Sequence, residues 1–247
     1  MKVVAIIVAG GSGKRMGNSR SKQYLLLGGL PILVHTLRTF ERASAINHVI
    51  LVVPENDIDY TRHLIVEQHQ ISKVKHIVAG GMQRQDSVRN GLGIVSDENE
   101  IVVIHDGVRP FISEEIINAS VQKAFEEDAV TVGVAVKDTV KSVDGNGLIK
   151  ETLKRDTLWL TQTPQAFKRK IIKRAYQKAY EDNIYGTDDA SLVERINIKV
   201  RMIKGSYDNI KITTPEDIEL GEYLLKTRKE SGTKVTKVTK EQRHKVF

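Results

Sequence analysis

The chain has 247 residues, with 38 Lys+Arg against 31 Asp+Glu, a formal net charge of +7; 40% of it is apolar and 28% charged. That is a globular composition, and it excludes collagen-like, coiled-coil and disordered chains. With no cysteine, disulfides, Cys-ligated zinc, Fe–S clusters and thiol nucleophiles are ruled out, and a reducing cytoplasm is the expected location. No apolar run approaches the roughly 20 residues that span a bilayer, so no membrane partner is expected. Six of the basic residues and two acidic ones fall in the last 19 positions. Residues 229–247 therefore read as a solvated basic tail behind a single domain at 1–228. Aromatics are only 5% and are not interleaved with the basic residues, so no nucleic-acid partner is expected.

In chain order, Val3–Val8 reads as a first buried strand rather than a signal-peptide core, because Gly10-Gly11-Ser12-Gly13 follows at once without a cleavage pattern. Val49–Val53, Lys75–Val78, Ile101–Ile104 and Val130–Val136 repeat its nearly continuous apolar character, which suits a sheet covered on both faces. Between them lie helical patterns: Pro31 to Arg42, Asp86 to Val95, and Glu114 to Glu127 behind Ser113 as N-cap. The alternation predicts an α/β fold with a doubly wound, mostly parallel, Rossmann-like sheet. Residues 137–154 break the rhythm. Two alternating runs flank Asp144-Gly145-Asn146-Gly147, a β-hairpin pattern whose apolar side chains need a cover, from their own domain or from a second subunit. Helices resume after Thr163-Pro164: Lys168 to Glu181, then Thr187 to Ile196 with Thr187 as cap and two acids on the dipole, then a last helix opened by Thr214-Pro215.

The segment Ala9-Gly10-Gly11-Ser12-Gly13-Lys14-Arg15-Met16-Gly17 follows the first strand. Its glycines let backbone N–H groups turn toward an anion. It is neither a dinucleotide fingerprint, because Met16 stands at the last glycine position, nor a P-loop, because Arg15 stands where Ser or Thr is needed. What remains is a glycine loop ending in two cations, with Lys22 five residues past Gly17, which suits a polyphosphate whose charge grows in the transition state. Asp106 ends a central strand, where open α/β sheets place ligand or metal groups; the alternative is a turn cap paired with Arg109. In Gly80–Ser87, backbone groups and the Ser87 hydroxyl could read a base edge, or Asp86 or Ser87 could simply cap a helix. Arg155 and Lys211 could hold a phosphate monoester or lie as surface charges. No His spacing suits zinc and no Gly-x-Ser-x-Gly elbow occurs.

Eight segments taken in order resemble the 2-C-methyl-D-erythritol 4-phosphate cytidylyltransferase family of sugar- and polyol-phosphate nucleotidyltransferases. They are Ala9–Met16, Lys22-Gln23-Tyr24, Gly80-Gly81 with Arg84 and Ser87, Val103–Pro110, Lys137-Asp138-Thr139, Thr163–Phe167, Gly186–Glu194 and Asn209–Pro215. The resemblance implies CTP and Mg²⁺ along the glycine loop and in-line attack of a polyol phosphate on the α-phosphorus. Carried over by position, Arg15 and Lys22 are catalytic. Ala9, Gly10, Gly11, Gly13, Lys14, Gly81, Ser87 and Asp106 bind CTP, with Asp106 also on the metal. Thr139, Arg155, Thr163, Thr187 and Lys211 bind the acceptor. The hairpin becomes the protruding arm of a homodimer. Ser21 stands where the family carries proline, Met82 where a polar residue is common, and Gly107 where alanine is usual. A sister family, the ribitol-5-phosphate cytidylyltransferases, shares the glycine loop, and Val108 and Phe111 lean toward it. Thr187–Glu194 and Lys137–Lys141 lean toward the methylerythritol enzymes. The remaining readings are a basic nucleic-acid-binding protein, which predicts steeply salt-dependent binding, and an NAD-dependent oxidoreductase.

Overall fold

The computed structural model describes residues 2–11 and 21–228. β1 (Val3–Val8) is followed by a short pair, β2 (Leu26–Leu27) and β3 (Leu30–Pro31), then α1 (Ile32–Arg42) and β4 (His48–Val53). An irregular helical stretch over 55–67, containing α2 (Ile58–Tyr60), leads to β5 (Val74–Ala79), α3 (Arg84–Gly93), β6 (Ile101–Asp106), α4 (Glu114–Glu127) and β7 (Ala129–Ala135). The arm strands β8 (Lys141–Val143) and β9 (Ile149–Thr152) come next. After them run β10 (Trp159–Lys168), α5 (Arg169–Glu181), α6 (Asp189–Arg195), β11 (Arg201–Lys204) and a helix over 215–228, α7.

Seven strands form one sheet in the order β5-β4-β1-β6-β10-β7-β11, and β10 alone runs against its neighbours. Strand alternation splits the core in two. Val3, Ala5 and Ile7 face Phe40 of α1 and Val121 of α4, while Val4 and Ile6 face Val88 of α3 and Ile172 of α5. A smaller cluster of Leu27, Ile32, Val108, Phe111 and Ile212 lies beside the cavity edge. The doubly wound reading from the apolar runs therefore holds.

Three local expectations are corrected. α3 starts at Arg84, with Gln83 as its cap residue; Asp86 Oδ2 accepts the Gln83 N–H at 3.0 Å, so neither Asp86 nor Ser87 is the N-cap. α6 is capped by Asp188, whose carboxylate accepts the Ser191 N–H at 2.9 Å, and not by Thr187. The chain after Thr163-Pro164, read as returning to helices, instead continues to Lys168 a ten-residue central strand that begins at Trp159. Thr161, Gln162, Thr163 and Gln165 hide its strand character, and Pro164 sits where the pairing with β7 slips between Gln162 and Gln165, so no ladder donor is needed there.

The cap at Ser113 is as expected, its hydroxyl accepting from Ile116 N–H at 3.3 Å. So is the hairpin. β8 and β9 pair with each other in a separate two-stranded sheet, closed by Asp144 Oδ1 accepting from Asn146 and Leu148 N–H and by Gly147 at φ 84°. Val143, Leu148 and Ile149 on this arm are exposed.

Candidate active site

A cavity of about 360 Å³ opens at the C-terminal ends of β1, β5 and β6, the crevice where open α/β sheets bind ligands. Its floor is main chain: Ala9, Gly10 and Gly11 after β1, and Gly81 after β5. Gly10 and Gly80 press together so closely that a Cβ at Gly80 would come within 3.0 Å of Ser87 Oγ and 3.6 Å of Gly10 Cα. Ser87 closes this floor by accepting the Gly81 N–H at 3.1 Å and donating to the Gln83 carbonyl at 3.1 Å. Its hydroxyl thus shapes the loop as well as lining the cavity.

Lys22 stands in a short helical turn, Lys22–Tyr24, and lies over Gly11, where a Cβ would be 3.7 Å from Lys22 Cε. Beside it Gln23 is fully buried at the cavity wall, and neither atom of its amide meets a hydrogen-bonding partner among the described residues.

Asp106 is the hub of the far wall. Its Oδ1 accepts from Arg84 Nε at 2.9 Å, and its Oδ2 lies 2.9 Å from Lys211 Nζ and 3.4 Å from Arg109 Nε. Burial would raise this carboxyl, but Arg84, Lys211 and Arg109 together hold it well below the usual carboxylate range, so it is ionised. The pairing with Arg109 weighed at the outset is present, and two further cations join it. Lys211, assigned with Arg155 to the acceptor phosphate, faces Asp106 in this cavity. Its segment is pinned there by the Asn209 carbonyl accepting from Arg109 Nη1 at 2.8 Å and by Ile212 N–H donating to the Val108 carbonyl at 2.9 Å.

The other sequence-assigned residues fall elsewhere. Thr163 is buried behind the cavity, its hydroxyl accepting the Asp106 N–H at 3.1 Å, and it fixes the strand end that carries Asp106. Thr139 and Thr187 are exposed, and Arg155 at the base of the arm donates to the Lys137 carbonyl at 3.0 Å. Gly13, Lys14 and Arg15 lie outside the described residues, as does the basic tail 229–247. The sequence reading gave no site role to Asp189 and Tyr176, although Asp189 accepts from Arg84 Nη2 at 2.8 Å and from the Tyr176 hydroxyl at 2.5 Å. Both lie on buried helix faces, Asp189 with Leu192 and Val193, Tyr176 with Ile172 and Ala179, and that spacing was the available signal.

Next to the hub, His105 is fully buried, and that burial pushes it down to about 3. Its Nε2 donates to the Arg109 carbonyl at 3.3 Å, so Nδ1 accepts from the Thr163 hydroxyl at 3.0 Å. An unfolded His protonates near 6.5 while this one stays neutral, so acid favours the unfolded chain. From pH 7 to pH 5 the His105 contribution is expected to fall by about 2 kcal/mol. Denaturant titrations at the two pH values check it: His105→Gln should lose correspondingly less stability than wild type, and equal losses would remove His105 as the cause.

The geometry can be set beside known proteins. The family model described as 2-C-methyl-D-erythritol 4-phosphate cytidylyltransferase matches residues 3–227. A protein of that name from Syntrophus aciditrophicus is 53% identical over 231 residues, covering 94% of this chain and 98% of the relative. One from Alkaliphilus metalliredigens is 48% identical over 229 residues, covering 93% and 95%. The crystal structure of 4-diphosphocytidyl-2C-methyl-D-erythritol synthase from Anaerococcus prevotii superposes with a TM-score of 0.82 at 36% identity, covering 91% of this chain and 96% of that one. With the model spanning nearly the whole described body and relatives of about half identity along their full length, this chain belongs to the 2-C-methyl-D-erythritol 4-phosphate cytidylyltransferase family.

Proposed function

We propose that the chain transfers CMP from CTP to 2-C-methyl-D-erythritol 4-phosphate, the cytidylyl step of the non-mevalonate isoprenoid pathway. A phosphate oxygen of the acceptor bonds to the α-phosphorus, the bond from that phosphorus to the bridging oxygen breaks, and pyrophosphate leaves. The attacking oxygen is already anionic, so the protein supplies alignment and positive charge rather than a nucleophile. The observation that carries the reading is the cavity of a chain in this family: a main-chain floor, with Lys22 and Lys211 on its walls and one ionised carboxylate, Asp106.

Main-chain groups of Ala9, Gly10 and Gly81 suit the base end, Lys22 the phosphates, and Lys211 the phosphates at the reacting centre. Arg15, with Gly13 and Lys14, is assigned to the phosphates from the sequence motif alone. Among the described residues no three metal-ligating side chains cluster. A Mg²⁺ ion therefore fits Asp106 only together with nucleotide oxygens and water, its ordinary donors. When bound it would neutralise phosphate charge. No helix among the described residues is long and apolar enough to cross a membrane. The cysteine-free composition supports placement in a reducing cytoplasm.

Pyrophosphate release from CTP and Mg²⁺ tests the reading, with 2-C-methyl-D-erythritol 4-phosphate and ribitol 5-phosphate run in parallel. Release with the first acceptor alone is expected. Release with ribitol 5-phosphate alone would move the chain to the sister activity, and silence with both would overturn the transfer.

The arm supports a homodimer. Thr139 and Arg155 at its base lie outside the cavity of their own chain, and Val143, Leu148 and Ile149 are left exposed. A second copy seated there would cover the apolar residues and receive the polar ones. Light scattering is expected to give a dimer mass, and Leu148→Asp with Ile149→Lys a monomer with weaker acceptor binding. A concentration-independent monomer mass for the wild-type chain would rule this out.

A further inference from the structure

Arg84 is used on both edges. Its Nη1 and Nη2 donate to Oδ1 and Oδ2 of Asp189 at 3.1 and 2.8 Å, while Nε donates to Asp106 at 2.9 Å. Asp189 is completely buried and is itself held by the Tyr176 hydroxyl at 2.5 Å. Its helix start is seated by Gln165 of β10, which accepts from Ala190 N–H at 3.0 Å and donates to Asp188 at 2.7 Å. Burial and the Asp189 charge hold the Tyr176 phenol well above its ordinary range, so it remains a donor.

We propose that Asp189, backed by Tyr176, is a positioning residue for cytidylyl transfer: by gripping both terminal nitrogens of Arg84 it fixes the third on Asp106 and withholds Arg84 from the triphosphate. A forked, two-bond grip on a guanidinium sets its plane as well as its place. Arg84 is therefore a fixed wall of the cavity, and Asp106, held also by Arg109, keeps one orientation while Lys211 on the cavity wall can exchange it for phosphate oxygens. Without the grip, Arg84 becomes one more mobile cation beside the nucleotide. Ground-state attraction to CTP then persists or grows, while the alignment needed in the transition state is lost. A lesion that merely loosened the fold would weaken CTP binding and turnover together.

The inference rests on the cytidylyl-transfer reading, and its test separates the two. Asp189→Asn, Tyr176→Phe and Arg84→Lys are compared with wild type for kcat, KM for CTP, and CTP affinity by calorimetry without acceptor. Asp189→Asn is expected to lower kcat by about tenfold to a hundredfold with CTP binding equal or tighter. Tyr176→Phe is expected to lower it by about threefold to tenfold with affinity within about twofold of wild type. Arg84→Lys should behave as Asp189→Asn does, because one ammonium cannot reach both carboxylates in a fork. If Asp189→Asn fails to fold, the other two decide. A kcat within twofold of wild type in the folded variants, or CTP affinity falling in step with kcat, would overturn the proposal. Absent turnover in the wild-type chain would instead sink the transfer reading, and the CTP affinities would still judge Asp189.

Discussion

Replacing Lys22 with alanine is expected to lower kcat by about two to three orders of magnitude and to move the unfolding midpoint by no more than about 2 °C. The side chain leans over Gly11 inside the cavity, while its turn is held by other means: Tyr24 donates its N–H to the Ser21 carbonyl at 3.0 Å and its phenol meets the Thr61 hydroxyl at 2.7 Å. The turn therefore has supports besides the ammonium, whose proposed role is to neutralise a triphosphate shedding pyrophosphate. Lys22→Arg should recover part of the rate, since it keeps the charge and changes its shape. Single-turnover pyrophosphate release beside a thermal melt checks this. A folded Lys22→Ala enzyme within threefold of wild type would remove Lys22 from the mechanism.

Asp106→Asn is expected to damage both quantities. The carboxylate sits among Arg84, Arg109 and Lys211, and neutralising it leaves three cations facing one another in a largely buried wall. The expected cost is about 3 kcal/mol, a fall of about 10 °C in the unfolding midpoint, with kcat lowered by more than about a hundredfold. The folded-state carboxyl is held well below its usual range. Its stabilisation is therefore complete above the ordinary aspartate value of about 3.9 and is lost only as pH falls through the lower folded value. The stability gap between wild type and Asp106→Asn should be full at pH 7 and close only in strong acid. Denaturant midpoints across that range measure it, and a variant as stable as wild type at pH 7 would show that the three cations do not need this partner.

What could be read in the sequence follows from what each residue has to do. β1, β4 and β6 are buried on both faces and carry little else, so their apolar runs announce them. β10 is equally central, but Thr163 must seat the Asp106 backbone and Gln165 must hold the start of α6. Those duties replace the apolar pattern with a polar one, and the strand was missed. Around the cavity, Ala9, Gly10, Gly11, Lys22 and Asp106 were legible because they stand out locally in the chain. The fork between Arg84 and Asp189 joins residues 105 positions apart, and no spacing rule reaches that far. Lys211 was singled out as a cation, but its seat against Asp106 was not legible, because nothing local says that Val108 and Ile212 are bonded neighbours.

The cavity floor has an evolutionary consequence. Ala9, Gly10, Gly11 and Gly81 present peptide groups rather than side chains, and a Cβ at Gly81 would fall 2.2 Å from Asp86 Cβ. In the proposed reading this floor meets the base, and such a surface is hard to rewrite by a point mutation, since every residue but proline carries the same amide N–H and a side chain at Gly81 does not fit. Nucleobase preference in this chain should drift far more slowly than acceptor preference, and an inhibitor that engages the peptide groups of the floor leaves few escape routes to resistance.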